Sequence, residues 1–500
     1  MLGRKTRWLG FALLASMGAG LLGLTSMMHA PYAHADDTAF VIGGSGTPIP
    51  DQSFVDTVEQ LFLAPNGYAD YTPQALATPE GNSPLYTPVQ SLTLDESEAQ
   101  GVKILNSAIL AQTENGNNVV VYGDSQSSTI SSMEMANLLT LPESQQPGLD
   151  QLAFVLTGDP NNPAGGLFER FDGLSIPSVG ITFNGATPDL YPTDIFTQEY
   201  DGFADFPQYP IDPFSDINAL LGVYFVHGTY ENLTLQQVTP VADGGDAIPL
   251  PTDPAFGTET DYFLIPTADL PLLDPVRDIP VIGNPLADLL QPDLTVLVNI
   301  GYGNPDFGYS AGPDGYLPAN EPTPFGLFPD VNLSTVAQDL ITGAQTGLQA
   351  FESDISSEIS EVETGGLSAL LGTSSDTSSI TLPELLTALS SDFSSPEALS
   401  TTFTDIVNTL SGAVATAYST LVPAADVANA LLTTLPTYDL TLFLNGIQEA
   451  AGGNASGLVD AIGYPIAADE ALIPLAGLID FAAIANAAQT VAGDLAGLIP

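Results

Sequence analysis

The feature that most constrains the fold of this chain is a series of short apolar runs separated by helical patterns. The runs are continuous rather than alternating, and turn-forming residues bound each of them: TAFVIGG, NNVVVYG, QLAFVLTG, TDIFTQEY, DYFLIPT and LTVLVNIGYG. Such runs indicate strands that are covered on both faces of a parallel sheet. Helical patterns lie between them, for instance over residues 94–110 and 127–139. Strands that alternate with helices predict an α/β fold.

A change of composition near residue 320 predicts a second region. Beyond Pro322 the chain is rich in Ala, Leu, Ser, Thr and Gly, and no Lys or Arg follows Arg277. Apolar residues recur there at helical spacing, with Gly and Pro as stops. The segments are LSTVAQDLITGAQTGLQAFESDISSEI, LPELLTAL, ALSTTFTDIVNTLSGAVATAYSTL and VANALLTTL. We therefore predict an α/β domain over residues 36–320 and a helix-rich acidic extension over residues 321–500.

The first 35 residues have the order of a secretory signal. The basic residues Arg4, Lys5 and Arg7 precede a long apolar run, and an Ala-His-Ala cleavage site ends at Ala35. This sequence of charge, apolar core and small residues is typical of a signal peptide. Because the apolar run is long for a cleaved signal, a retained membrane anchor is the alternative. Either form predicts a secreted or cell-envelope protein, with envelope association through this segment.

The charge and the rare residue types exclude several classes of function. Outside the predicted signal, only Lys103, Arg170 and Arg277 stand against 59 acidic residues. Such a surface repels phosphate backbones, so nucleic-acid binding is excluded. The chain has no cysteine, which excludes disulfides, thiolate metal sites and a cysteine nucleophile. One histidine, His227, lies outside the signal, so a cluster of imidazole ligands is excluded and we predict no metal and no cofactor.

A serine stands at a predicted junction of strand and helix, in VVVYGDSQSS. In the Gly-x-Ser-x-Gly pattern the turn strains the backbone of the serine, and small residues two positions before and after it let the strand and the helix approach. Here Gly123 precedes Ser125, but Ser127 replaces the second glycine. A serine-rich loop is the competing interpretation. The strand before this turn and the helix after it favour Ser125 as a nucleophile.

A serine hydroxyl needs a base to take its proton, and that base is usually a histidine. His227 follows a helical pattern, so a structural histidine at a helix end is the competing interpretation. The acid is expected between the serine and the histidine, on a turn after a late strand. Asp201, directly after TDIFTQEY, is the first candidate and Asp205 the second. Asp216, before the apolar helical face, is better explained as an N-cap.

An oxyanion hole needs two backbone N–H groups, one after the nucleophile and one from the loop after an early strand. The first is that of Gln126. The second is expected in FVIGGSGTPIP, where we choose Ser45, with Gly44 as the alternative. These glycines do not predict a dinucleotide site, because no Gly-x-Gly-x-x-Gly opens a helix here and two prolines follow.

Several ordered motifs of residues 38–310 together resemble the PE-PPE domain of mycobacteria and their relatives: VIGGSGTPIPD, VVVYGDSQSSTISSMEM, FVLTGDPNNPAGGLFERF, GITFNGATP, EYDGFADFPQYPID, INALLGVYFVHGTY and LADLLQPDLTVLVNIGYG. That family is similar to cutinases and other serine α/β-hydrolases. The resemblance implies an α/β-hydrolase fold with a mostly parallel sheet, and esterase activity through a triad that falls on Ser125, Asp201 and His227. The chain departs from the family in that no PE or PPE helical region precedes the domain, and in that Asp124 stands where tyrosine is common.

These observations leave three functions open. The first is an exported serine esterase or lipase that acts on acyl-chain esters through a covalent acyl-serine. The second is a cell-envelope acyltransferase that moves fatty acyl groups between glycolipids such as acyl-trehaloses. The third is a catalytically silent lipid-binding or envelope-structural protein on the same scaffold. The role of Asp124 is also open: it either raises the pKa of His227 or disfavours anionic acyl substrates.

Overall fold

The computed structural model describes residues 37–88, 91–280, 282–305, 307–310, 317–365 and 421–496. The predicted signal, the segment LPELLTAL and nearly all of the segment that begins ALSTTF lie outside these residues.

A seven-stranded, mostly parallel sheet forms the centre of the molecule. The strands are β1 (Thr38–Val41), β2 (Thr72–Ala75), β3 (Val119–Asp124), β4 (Leu152–Thr157), β5 (Ser175–Ile176), β6 (Ile181–Thr182), β7 (Thr193–Gln198), β8 (Ile248–Pro249) and β9 (Thr260–Ile265). Their order in the sheet is β2-β1-β3-β4-β7-β9-β8, and β8 alone runs antiparallel to its neighbour. The remaining two strands, β5 and β6, form a separate antiparallel hairpin.

Helices cover the sheet and form the C-terminal part of the described chain. They are α1 (Gln52–Val58), α2 (Leu94–Thr113), α3 (Gln126–Leu138), α4 (Leu167–Arg170), α5 (Pro213–Phe225), α6 (Leu235–Val238), α7 (Asp274–Arg277), α8 (Gly283–Ile300), α9 (Leu333–Gly365), α10 (Leu421–Asn429), α11 (Leu435–Ala451) and α12 (Gly457–Ala496). A π-helical segment, Glu59–Tyr68, continues α1, and another, Ala430–Thr434, joins α10 to α11. Short 3₁₀ turns lie at Glu143–Gln145, His227–Asn232, Val241–Asp243 and Pro271–Leu273.

The apolar run of β3 is continuous because both of its faces are buried. Val119 and Val121 pack with α2 and α3 on one face, in a cluster that includes Leu105. Val120 and Tyr122 pack on the other face, with α1 and the π-helical segment that follows it. The burial on both faces is typical of a parallel strand between two helical layers. The prediction of an α/β fold with a mostly parallel sheet is confirmed.

Two local predictions are wrong. The run LTVLVNIGYG was predicted to be a strand but forms the end of α8 and the turn after it. Its partly buried Leu294 and buried Val298 lie four residues apart, which is helical spacing, and belong with Leu270 to one apolar cluster. A short apolar run does not by itself distinguish a buried helix from a strand. The N-cap of α5 is Asp212, whose carboxylate accepts from the Phe214 N–H at 3.0 Å, and Asp216 instead lies buried in the first turn.

The C-terminal helices pack directly on the α/β part. Residues of α10 and α12 share an apolar cluster with aromatic side chains such as Phe168 and Phe171. The rings of Phe325 and Tyr464 meet edge to face at 5.4 Å, and the Ser178 hydroxyl donates to the Asp426 carbonyl at 2.9 Å. The described part of the extension is helix-rich, as predicted, with its first helix beginning at Leu333. Within α12, residues Gly457–Ala482 are long and apolar enough to cross a membrane by length and composition, and a third of their most apolar window is buried against protein.

Candidate active site

Ser125 occupies a sharp turn between β3 and α3. Its φ of 54° and ψ of −115° place it outside the regions that residues other than glycine commonly adopt. Strained backbone of this kind persists where the surrounding structure enforces it, and it clusters at functional sites. A Cβ at position 123 would lie 2.7 Å from the Ser127 carbonyl oxygen, so the approach of strand and helix requires Gly123. The turn therefore has the geometry of a nucleophile elbow.

Ser127, which replaces the second glycine of the pattern, is fully buried and has its own role. Its hydroxyl accepts from the Asp124 N–H at 2.7 Å and lies 3.0 Å from the Asp124 carbonyl oxygen. The same hydroxyl lies 3.3 Å from the Ile42 carbonyl oxygen at the end of β1. The serine at this position thus ties the turn to the neighbouring strand.

The structure brings Ser125, His227 and Asp201 together. His227 Nε2 lies 2.7 Å from Ser125 Oγ, and its Nδ1 lies 2.8 and 2.9 Å from the two carboxylate oxygens of Asp201. A neutral imidazole that donates from Nδ1 to a carboxylate presents Nε2 as an acceptor for the serine proton. Asp205, the second candidate acid, accepts instead from the Tyr200 N–H at 2.7 Å. The geometry therefore favours Asp201 over Asp205 as the partner of the imidazole.

Asp201 is buried among several donors. Its Oδ1 accepts from the Phe203 N–H at 3.0 Å, and its Oδ2 accepts from the Tyr230 hydroxyl at 2.8 Å. The Tyr230 hydroxyl in turn accepts from the Gln198 N–H, at the end of β7. Tyr230 was not predicted from the sequence, although it lies three residues after His227 in VHGTY, where one helical turn places it near the imidazole. These contacts fix the carboxylate beneath the ring.

Asp124, the residue before Ser125, has a different environment. Its Oδ1 accepts from the Thr157 hydroxyl at 2.8 Å, and that hydroxyl lies 2.8 Å from the Tyr122 hydroxyl. Burial, followed by the charge of Glu231, raises the pKa of Asp124 to about 7; His227 and the Thr157 hydrogen bond oppose this rise. The carboxyl group therefore changes its charge near neutral pH.

Opposing effects act on the imidazole. Burial lowers the pKa of His227, but the charge and the hydrogen bond of Asp201 raise it, as do the charges of Asp124 and Glu231, and the net pKa lies above its ordinary value. His227 keeps 11% of its side chain exposed, while Asp201 has none. The base is thus in part accessible to solvent, whereas its acid is not.

The residues predicted for the oxyanion hole lie beside the nucleophile. Within the described chain, no acceptor takes the backbone N–H of Gln126, Ser45 or Gly44. The side chain of Ser45 is engaged: its hydroxyl donates to Gln126 Oε1 at 2.7 Å and accepts from Asn82 Nδ2 at 3.0 Å. The side chain of Gln126 donates to the Ser97 hydroxyl. This network holds the early loop against the start of α3 and leaves backbone N–H groups as the candidate donors.

Over the described ranges, no group of three or more His, Cys, Asp or Glu residues is placed so that it could hold a metal ion.

A mostly parallel sheet with a strained serine after its third strand, hydrogen-bonded to a histidine and through it to an aspartate, defines the α/β-hydrolase class. The sequence comparisons give the family. The PE-PPE domain matches residues 69–303, and the chain is similar over nearly its whole length to a PPE protein. The chain belongs to the PE-PPE domain family.

Three relatives from Mycobacterium tuberculosis illustrate the range of this similarity. The uncharacterized PPE family protein PPE28 is 44% identical over 95% of this chain and 70% of its own length. Esterase PE16 is 43% identical over 62% of this chain and 54% of its own length. SL1278 acyltransferase Chp1 is 26% identical over 58% of this chain and 70% of its own length. The chain thus spans about half of PE16 and seven-tenths of the other two.

Proposed function

We propose that the protein is a serine esterase that acts on acyl-chain esters through a covalent acyl-serine intermediate. The observation that carries this proposal is the hydrogen-bonded series Asp201, His227 and Ser125, with the serine on a strained turn. The relative named esterase PE16 supports the same reaction class.

The reaction follows from the roles these groups can take. Ser125 Oγ attacks the ester carbonyl carbon and gives its proton to His227 Nε2, while Asp201 orients the ring and stabilises the imidazolium. The N–H groups of Gln126 and Ser45 stabilise the oxyanion. The imidazolium then protonates the leaving alcohol, and the acyl group stays on Ser125. Water, deprotonated by His227, attacks the acyl-serine and releases the acid.

Labelling with a fluorophosphonate probe tests the nucleophile. We expect the full chain to be labelled at Ser125, and Ser125→Ala to lose both the label and ester hydrolysis. Ser131→Ala is the matched control, because its hydroxyl donates to a carbonyl of its own helix α3. A folded protein that hydrolyses esters with Ser125 replaced would refute the proposal, as would an intact wild type that takes no label.

Transacylation is a second candidate, in which fatty acyl groups pass between glycolipids such as acyl-trehaloses. The name of the relative Chp1, SL1278 acyltransferase, favours it, and an acyl-serine can be attacked by a sugar hydroxyl as well as by water. Product analysis with a labelled acyl ester, with and without trehalose, separates the two reactions. Release of free acid alone, at every trehalose concentration, would leave hydrolysis as the activity.

We also propose that the protein is exported to the cell envelope or beyond, because residues 1–35 have the pattern of a signal. Expression of the full chain and of a form without residues 1–35, followed by cell fractionation, tests this. Recovery of both forms in the cytoplasm would contradict it.

A further inference from the structure

The side chain of Asp124 points one carboxylate oxygen toward the oxyanion loop. A Cβ at position 44 would lie 2.9 Å from Asp124 Oδ2 and 3.3 Å from the Cβ of Ser125. The Oδ2 atom therefore lies on the side of Gly44 that a Cβ would occupy, beside the nucleophile. Its other oxygen, Oδ1, is held by the Thr157 hydroxyl. Oδ2 is thus the carboxylate oxygen on the side of Gly44, next to the loop from which an oxyanion donor is expected.

The residues around the nucleophile are in part accessible to solvent. Ser125, Asp124, His227 and Glu231 are all partly exposed, whereas Asp201 is completely buried. Glu231 follows His227 on the same 3₁₀ turn and acts on both Asp124 and His227 through its charge. Two carboxyl groups from two different elements, the end of β3 and the turn after α5, therefore lie close enough to the His227–Ser125 pair to act on it through their charges.

No basic side chain offsets these carboxylates in the described site. Arg170 is buried and donates to the carbonyls of Phe206, Thr323 and Ala164. Arg277 pairs with two aspartates, Asp269 and Asp288. The one lysine outside the predicted signal, Lys103, lies exposed on α2 and is not among the charges that act on Asp124 or His227.

We propose that Asp124, assisted by Glu231, is a specificity-determining residue that restricts the site to uncharged esters by repelling anionic groups near the reacting carbonyl. The inference rests on the proposed esterase function and names its substrate class. Esters that carry a phosphate, sulfate or carboxylate close to the scissile bond are excluded, and neutral acyl esters, such as those of sugars or of simple alcohols, are accepted. Repulsion of the wrong substrate is a common means of specificity.

The charge of the Asp124 carboxyl group depends on pH. The ionisable groups that act on Asp124 are Glu231, His227 and Asp201. Asp124 in turn acts on His227, Glu80, Tyr122 and Tyr230. Because the pKa of Asp124 is about 7, its carboxyl group is charged above that pH and progressively neutral below it. Rejection of anionic esters is therefore expected to be strongest in alkaline solution and to weaken as the pH falls to 6.

A matched pair of aryl acetates tests the proposal. One is the acetate of 4-hydroxybenzenesulfonate, which stays anionic throughout the working range of pH; the other is the acetate of 4-(methylsulfonyl)phenol, which is neutral and has a similar shape. We expect the wild type at pH 8 to prefer the neutral ester by about tenfold in kcat/KM, after correction for their hydroxide-catalysed rates. Between pH 8 and pH 6 this preference should fall.

Three variants test which carboxyl group causes the preference for the neutral ester. Asp124→Asn keeps an oxygen to accept from Thr157 but removes the charge, and should reduce the preference to about threefold or less. Glu231→Gln should reduce it less, and it provides a second measurement should the first variant fold poorly. Glu143→Gln, which removes an exposed charge on the turn after α3, should leave the preference unchanged.

Equal kcat/KM for the two esters in the wild type would overturn the inference. So would a preference that both Asp124→Asn and Glu231→Gln retain in full. Failure of the esterase itself has a different signature: neither ester is turned over, and the fluorophosphonate does not label Ser125.

Discussion

Two aspartates act on the His227–Ser125 pair, and their surroundings differ. Asp201 is buried and accepts from the imidazole, from the Tyr230 hydroxyl and from backbone N–H groups. Asp124 is partly exposed and accepts one hydrogen bond, from Thr157, while its second oxygen lies beside Gly44. A carboxylate whose oxygens are all engaged can orient the base but cannot contact a substrate. A carboxylate with an oxygen that accepts no hydrogen bond can act on a substrate but does not orient the base.

Replacement of each aspartate by asparagine tests this division of roles, and has the largest expected effect. In Asp201→Asn the amide no longer favours the Nδ1–H tautomer of His227, so kcat for an uncharged ester should fall by about 10⁴-fold, as in serine proteases. In Asp124→Asn kcat for the same ester should change by less than about tenfold. Steady-state kinetics on folded protein, checked by circular dichroism, measure both. Losses of kcat of similar size in the two variants would contradict the different roles assigned to the two aspartates.

Gly44→Ala disturbs the Asp124 side of the site. The new Cβ would lie 2.9 Å from Asp124 Oδ2, so the carboxylate or the oxyanion loop must move. Because oxyanion stabilisation depends on the position of its donors, kcat should fall by about 10- to 100-fold.

Gly477→Ala is the control for Gly44→Ala, since a Cβ there meets nothing within 4 Å in α12. Activity of Gly44→Ala equal to that of the wild type would place the reacting carbonyl away from this loop.

The two tyrosines behind the aspartates offer a smaller, matched test. Tyr230→Phe removes a donor from Asp201, and Tyr122→Phe removes the hydroxyl that contacts Thr157, one step from Asp124. We expect Tyr230→Phe to lower kcat for uncharged esters by about fivefold, since one hydrogen bond contributes roughly 1 kcal/mol. Tyr122→Phe should change the preference between neutral and anionic esters more than it changes kcat. The opposite pattern would reverse the roles assigned to the two aspartates.

The sequence predicted the sheet and the candidate Ser125, His227 and Asp201, because these depend on local patterns and on the scarcity of histidine. Five of the six apolar runs coincide with strands. The prediction for the sixth, in α8, was wrong because a short continuous apolar run has the same sequence pattern in a buried strand and in a buried helix. The alternative acid Asp205 could not be excluded by pattern, since both aspartates follow the same strand.

Contacts between residues that the fold brings together from distant parts of the chain could not be predicted from the sequence. Thr157 reaches Asp124 because β3 and β4 are adjacent and in register, and Thr157 is the residue opposite Asp124 in that pairing. The contact of Ser125 with His227 spans 102 residues and depends on where α5 ends. The open oxygen of Asp124 was likewise unpredictable, since it depends on the packing of Gly44 against the turn.

The pH dependence of kcat/KM carries the smallest expected effect, and it reports on His227 and Asp124 together. His227 must be neutral to accept the serine proton, so kcat/KM should rise with pH, with a midpoint above the ordinary value of 6.5 because the net pKa of His227 is raised. Part of that rise comes from the charge of Asp124. Asp124→Asn removes this anion, which makes the imidazolium less stable and should lower the midpoint by a few tenths of a pH unit. Glu143→Gln should not move it. An unchanged midpoint in Asp124→Asn would show that Asp124 is uncharged in the free enzyme at this pH, and the electrostatic account of the site would then rest on Glu231 and Asp201 alone.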